Sequence, residues 1–351
     1  MTERDYLLAL HRVLGLGPAT LGRLLDYFGS YEKSWWAPAA ELTGLLDRGQ
    51  LPAFLTARDK RAPETVARDL DRAGVSTLTL LDKDYPALLR QIHAAPAVLY
   101  MRGSLPETPM ISVVGTRGAS PYGRDLAREI SAGLARAGVT VVSGLAYGID
   151  IAAHRGALDS GGTSVAVLAT PLEQAGPAAH RADARRITER GALVTEYPPG
   201  VMPQKGLFAV RNRIIAGLCR ATLVVEAPER SGALLTASHA LAENREVLAV
   251  PGPVGAPGSA GTHDLIRQGA HLARDAGDVL EVLGLARPES VMVDPPATLQ
   301  ERQVVEALLG PTHFDAIAER SGFSAGELGS ILTLMEITGK VRHLGGGIYT
   351  K

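Results

Sequence analysis

Lys205, Phe208, Arg211, Asn212 and Arg213 fall in one short run, PQKGLFAVRNRIIAGL, just ahead of the apolar stretch ATLVVEA. Cations neutralise phosphates, and an aromatic ring takes an unpaired base on its face for about 1–3 kcal/mol. Three cations around one ring suit a phosphate chain carrying unpaired bases. A structural use stays open for two of them, because Arg211 and Arg213 could instead hold Glu226 or other carboxylates at strand ends.

Other stretches offer anion-binding turns. In GTRGASPYG, Gly115 and Gly118 allow close backbone approach, Arg117 brings a planar fork, and Ser120 with Pro121 reads as an N-cap and first helical residue. Neither Gly-x-Gly-x-x-Gly nor a P-loop Gly-Lys-Ser/Thr occurs, which weakens dinucleotide-binding and ATP-hydrolysing readings. SGLAYGIDIAAH sets Ser143 and Gly144 at a strand end, with Asp150 and His154 four apart on one helix face. That spacing suits acid–base chemistry or plain core hydrogen bonding, and no nucleophile accompanies it. Ser231 and Gly232 open a further helix, and a Gly/Pro-rich loop runs from Gly252 to Thr262 and His263. Gly-x-Ser-x-Gly is absent, so helix starts that bind anions or merely cap themselves explain these residues better than a hydrolase does.

The elements that must position these residues follow from pattern. The chain has 351 residues, 46% of them hydrophobic, and a net charge of −1. Two to three domains with real cores are expected, and any nucleic-acid affinity must come from a local patch. Arg outnumbers Lys 30 to 6, so any single Arg is weak evidence. With Cys219 as the one cysteine, no internal disulfide forms and a Cys-based zinc site is not expected. Charged residues in MTERDYLLALHRVLGLG do not match a signal peptide, and no run of about 18 apolar residues occurs. These features point to a cytoplasmic protein without a membrane span, and nothing calls for a metal or cofactor.

Residues 1–75 are mainly helical, with a Gly-x-Gly-Pro turn inside Leu14 to Ser30 that resembles a helix-hairpin-helix, or SAM-like, unit. Such a turn either holds a phosphate or simply packs on its neighbour. From residue 76 to 284, short apolar strands such as MISVVG, VTVVSG and TSVAVLA alternate with helices, which implies an α/β, doubly wound, mostly parallel sheet. The site belongs at its carboxyl rim. Residues 285–298 read as a linker, and 299–351 as three helices and a Gly-turned hairpin, a winged helix. Its third helix lacks Lys and Arg, which favours a protein-docking or structural role over duplex reading.

The ordered motifs GTRGASPYG, SGLAYGIDIAAHRGAL, the Lys205-to-Leu218 run, VVEA, SGALLTASHAL, EVLAVPG and GTHDLIRQGA resemble the DNA-processing protein A (DprA/Smf) family, over at least residues 80–284. The resemblance implies an extended Rossmann fold that binds single-stranded DNA in natural transformation. It also implies protection of incoming strands, loading of the recombinase RecA, a homodimer, and no catalysis. Carried over, Arg117 and Lys205 meet phosphates, Phe208 stacks on a base, Arg211 and Asn212 support the pocket, and Ser143, Gly144, Ser231 and Gly232 supply rim hydrogen bonds. The chain departs from the family at ATPLEQAGPAAHRADARR, where a cation is missing and Arg181, Arg185 or Arg186 is the expected substitute. It departs again at Gly261-Thr262-His263-Asp264. The competing reading is a nucleotide-processing enzyme of the phosphoribohydrolase kind, but Pro251-Gly252-Pro253 lacks that class's glycine loop and glutamate. A pure docking scaffold would not need Lys205 and Phe208.

Overall fold

Apolar strands buried on both faces need helices on both sides, and the computed structural model of the chain has this layering. It describes residues 1–13, 15–60, 62–200, 206–286 and 298–351. Residues 1–286 pack as one compact unit and 298–351 belong to a second.

The N-terminal head is helical: α1 (Glu3–His11), α2 (Pro18–Phe28), α3 (Tyr31–Trp36), α4 (Ala39–Leu42), α5 (Gln50–Lys60) and α6 (Pro63–Arg72). Local chemistry fixes its hairpin. Pro18 starts α2, where its missing N–H costs nothing, and Gly29 ends it at φ 72°, a left-handed position that favours glycine. The head's core runs on into the sheet, because Tyr6, Leu10, Leu24, Trp35 and Phe54 share one apolar cluster with Val98, Tyr100 and Leu193. At that seam His11 Nδ1 and Tyr100 Oη lie 3.0 Å apart, both buried.

The chain then enters the sheet through β1 (Ser76–Thr79), α7 (Ala87–Arg90), β2 (Val98–Gly103), β3 (Met110–Val114), α8 (Pro121–Arg136), β4 (Thr140–Ser143) and α9 (Ile149–Asp159). It continues through β5 (Ser164–Val167), α10 (Arg181–Arg190), β6 (Ala192–Thr195), α11 (Leu207–Gly217), β7 (Ala221–Val224) and α12 (Gly232–Ala242). It ends with β8 (Glu246–Ala249), α13 (Ala260–Arg267), β9 (His271–Leu272) and α14 (Ala276–Val282). The nine strands stand in the order β1-β2-β6-β5-β4-β3-β7-β8-β9. From β6 to β9 all pairs are parallel, whereas β2 pairs antiparallel with β1 and β6. The apolar run after Pro86 is therefore an antiparallel extension of an otherwise parallel sheet.

Alternation sorts side chains between the faces. Ile111, Val113 and Val141 meet α8, α9 and α14, while Val114, Val142 and Val224 meet α11 and α12. Strand order reverses at β3, which has β4 on one side and β7 on the other. Such a switch point opens a crevice at the carboxyl ends of the two strands.

The second unit contains α15 (Leu299–Ala307), β10 (Thr312–His313), α16 (Phe314–Ser321), α17 (Ala325–Ile337), β11 (Arg342–Gly345) and β12 (Ile348–Thr350). Its strands pair in the order β10-β12-β11, giving a winged helix around Val304, Ile317, Leu328, Leu332 and Met335. Lys340 reaches Glu301 at 2.9 and 3.0 Å, tying the start of the wing to α15. No helix among the described residues is long and apolar enough to cross a membrane.

Candidate nucleic-acid interface

The crevice at the β3/β7 switch point holds a cleft of about 520 Å³ lined by the loop after β3, the first turns of α11 and the start of α12. Gly115 is required there, since a Cβ would meet Ile149 and the Glu226 carbonyl. Thr116 N–H donates to that carbonyl at 2.7 Å, which fixes the loop against the end of β7. Arg117 is thereby aimed at α11. Its guanidinium carbon lies 5.0 Å from the centroid of the Phe208 ring, a cation–π distance. Both side chains remain accessible, Phe208 at 39%.

The same two residues also line a second, mainly apolar cavity of about 260 Å³ with Leu145, Tyr147, Leu168 and Pro177. The Arg117–Phe208 pair is thus a wall shared by two cavities. Tyr147 packs edge-on against buried His180, with centroids 4.7 Å apart.

Other expected site residues divide by burial. Asn212 lines the main cleft and donates to the Gly232 carbonyl at 3.2 Å, joining α11 to α12. Ser231 caps α12 by accepting from Ala233 N–H at 3.3 Å, and Gly232 is open to the cleft. Arg211 is only 4% exposed. It donates to the carbonyls of Gly144, at 3.0 Å, and Val167, and stands against Asp150, so it braces the cleft wall that the two residues help to line. Burial lowers its pKa to about 10, with Asp150 acting in the opposite direction. Burial raises the Asp150 carboxyl, opposed by the charge of Arg211 and by N–H donors from Ala146 and Gly144.

Several expectations need correction. Arg213 is not aimed at the cleft; it takes the structural use left open for it, held not by Glu226 but by another strand-end carboxylate, Glu196 just after β6, in a two-pronged pair at 2.6 and 3.1 Å. Ser143 is fully buried and donates to the Val113 carbonyl at 2.7 Å, so it offers no rim hydrogen bond. Thr262 is 1% exposed and donates to the Ser259 carbonyl, while His263 Nε2 sits 3.0 Å from the Gly252 carbonyl, and neither lines the cleft. Gly144 contributes its backbone: a side chain there would strike the Arg211 guanidinium. Ser120 is the N-cap of α8, as its sequence context requires, but its own N–H and hydroxyl go to Glu226. Lys205 lies outside the described residues.

The arginines of α10 expected to substitute for the missing cation do not line the two cavities. Arg186 pairs with Asp159 at 2.7 Å, and Arg181 and Arg185 line neither cavity. Arg230 does line the main cleft, is exposed, and has no ion-pair partner among the described residues. Sequence reading passed over it because a lone Arg in an Arg-rich chain carries little signal.

Asp150 and His154 do not work as a pair. Ser164 spends its one hydroxyl proton on the Val141 carbonyl, so His154 Nδ1–H must donate to Ser164, at 2.7 Å. Burial lowers the pKa of His154 to about 3. Neutral and enclosed, it sits behind the sheet rather than in the cleft.

Comparison with known proteins agrees with this geometry. Residues 76–284 match the family model described as DNA recombination-mediator protein A, and residues 287–347 match that of the DprA winged helix domain. A DprA-named protein of Mycobacterium tuberculosis is 43% identical over 309 residues, 80% of this chain and 79% of its own. The X-ray structure of DNA processing protein A from Streptococcus pneumoniae superposes with a TM-score of 0.70 at 32% identity, covering 80% of this chain and 98% of the other. A solved structure of DNA processing protein A from Helicobacter pylori, described for its single-stranded DNA binding mode, gives 0.54 at 27%, covering 60% and 95%. The nucleotide-processing alternative is not favoured by these matches. With the switch-point cleft, the appended winged helix and both family models in agreement, the chain belongs to the DNA recombination-mediator protein A family.

Proposed function

We propose that this protein binds single-stranded DNA in the switch-point cleft, largely without regard to sequence, and acts as a recombination mediator without catalysing a reaction. The observation that carries the reading is the Arg117–Phe208 pair, a cation and a stackable ring presented together between two cavities. Phosphate neutralisation and stacking read every base alike, whereas sequence readout needs donors and acceptors ordered along base edges. Arg230, which also lines the cleft, supplies a second phosphate contact, and Lys205, close in sequence to Phe208, supplies a third. The solved relative from Helicobacter pylori supports the choice of ligand. Separate commitment of Asp150 and His154 supports binding without chemistry.

The family resemblance extends the proposal to natural transformation, where a cytoplasmic homodimer shields incoming strands and passes them to RecA. Residues 1–75, 76–284 and 299–351 are proposed as its three modules, with 285–298 as linker. A mobility-shift titration of single- against double-stranded oligonucleotides tests the core claim. Tight, salt-sensitive binding of single strands is expected from the wild type and severe weakening from Arg117→Ala with Lys205→Ala. Unchanged affinity in that double variant would refute the assigned cleft.

A further inference from the structure

In an open α/β sheet, the helix that follows the first strand at the switch point usually points its free N–H groups and positive dipole end at a ligand's phosphate. Here that position is α8, a helix of 16 residues, and a carboxylate of the chain itself already occupies it. Glu226 Oε2 accepts the backbone N–H of Ser120 at 2.9 Å and its hydroxyl at 3.2 Å. The fit is close on two sides. A Cβ on Gly123, in the first turn of α8, would collide with Oε2, and one on Gly258, in the turn Pro257–Ser259, would collide with Oε1. The backbone around the carboxylate is also tied, Thr116 N–H to the Glu226 carbonyl and Ala227 N–H to the Gly258 carbonyl, each at 2.7 Å.

Among the described residues no Lys or Arg forms an ion pair with Glu226. Its negative charge faces a helix N-terminus and two donors from one serine, which is the environment a bound phosphate would have. The available cations, Arg117 and Arg230, lie instead on the exposed rim of the cleft.

We infer that Glu226 is a specificity-determining residue: its carboxylate fills the phosphate position of the crevice, so that free phosphate and mononucleotides are rejected and only a strand spanning the rim cations is held. The inference rests on the single-stranded DNA reading of the same cleft and states which part of a nucleic acid that cleft declines. A terminal phosphate or a mononucleotide seeks a closed cradle of N–H donors, and the cradle is full. An internal phosphodiester needs only Arg117 or Arg230 at the surface, with its base beside Phe208.

The test compares wild type with Glu226→Ala and Glu226→Ser, both of which vacate the position. The probes are inorganic phosphate and thymidine 5′-monophosphate, followed by thermal melting against chloride of matched ionic strength and by calorimetry. Wild type is expected to show no stabilisation beyond the chloride control. A folded vacating variant is expected to bind phosphate at least about tenfold more tightly than wild type, the scale on which a helix N-terminus recognises an anion in a favourable, partly buried site. Wild type that is stabilised by phosphate as strongly as the variants overturns the inference, and so does a cooperatively melting variant that gains nothing. Should neither variant fold, the wild-type response alone decides. Binding of a single-stranded oligonucleotide by the wild type is measured separately. Its failure would remove the functional reading while leaving the phosphate response of the variants to judge Glu226.

Discussion

The guanidinium of Arg117, carried by the loop after β3, lies 5.0 Å from the ring centroid of Phe208, in the first turn of α11. The residues are far apart in sequence, and the β3/β7 crossover is what brings their elements together. A ring capped on one face by a cation keeps the other for a base, and the pair lines both cavities. Phe208→Ala is therefore expected to weaken single-stranded DNA binding by about 1–3 kcal/mol, roughly 5- to 150-fold in Kd, while Phe208→Trp retains most of the affinity. Fluorescence anisotropy with oligonucleotides of different composition checks both values, and a loss confined to one base type would argue against stacking.

Arg230→Ala should act through phosphate alone. Removing one contact to a single strand lowers the slope of log K against log salt by about 0.7, uniformly across sequences. An unaltered salt slope would place Arg230 outside the binding path, whatever its effect on affinity at one salt concentration.

Arg213 should behave in the opposite way. Its pair with Glu196 leaves side-chain exposures of only 12% and 8%, so Arg213→Ala strands a carboxylate away from water. Breaking such a pair costs about 3 kcal/mol or more. Chemical denaturation should register that loss, while the salt slope for DNA binding stays that of the wild type.

These contrasts show what the sequence made legible. Arg117, Phe208 and Ser120 were readable because each sits where a strand ends and a helix begins, so spacing alone places it on the carboxyl rim. Burial was not readable. Arg211 and Arg213 share one short helix with Phe208, yet one faces the sheet, the other faces Glu196 across the β6–α11 connection, and the helix turn decides between them. Ser143 reads as a rim donor until the pleat turns its hydroxyl toward Val113. Glu226 reads as a partner for arginine because the α8 N-terminus it fills is distant in sequence. The antiparallel β2 went unassigned because an apolar run carries no sign of its direction.

Two buried histidines set an acid limb of stability. Burial lowers the pKa of His154 to about 3 and that of His11 to about 4, both below the ordinary value of 6.5. Between those values and 6.5 the unfolded chain binds more protons than the folded one, so stability rises with pH across that window and is lost as pH falls through it. Asp150, raised by burial above its ordinary 3.8, pulls the other way as pH rises above that value. Replacing His154 with Gln, which cannot take up a proton, should flatten the loss of stability between about pH 6 and pH 4. An unchanged acid limb in urea titrations would show that His154 is not its source.

The winged helix makes the last case, because its fold suggests duplex DNA and its chemistry does not. In such folds the third helix enters the major groove, and cations there and on the wing neutralise phosphates. Here α17 carries Glu327 and Glu336 and no Lys or Arg, and its exposed surface includes Leu334 at 57% and Ile337 at 77%. Lys340, the cation nearest in sequence to the helix end, is committed to Glu301. Residues 298–351 have their own apolar core, so the fragment is expected to fold alone and to leave duplex DNA unshifted at about 0.1 M salt, where surface ion pairs are already screened beyond roughly 10 Å. The complementary fragment 1–286 should keep the single-strand affinity of the whole chain. A duplex shift by the isolated winged helix, or loss of single-strand binding on its removal, would return this unit to the DNA interface.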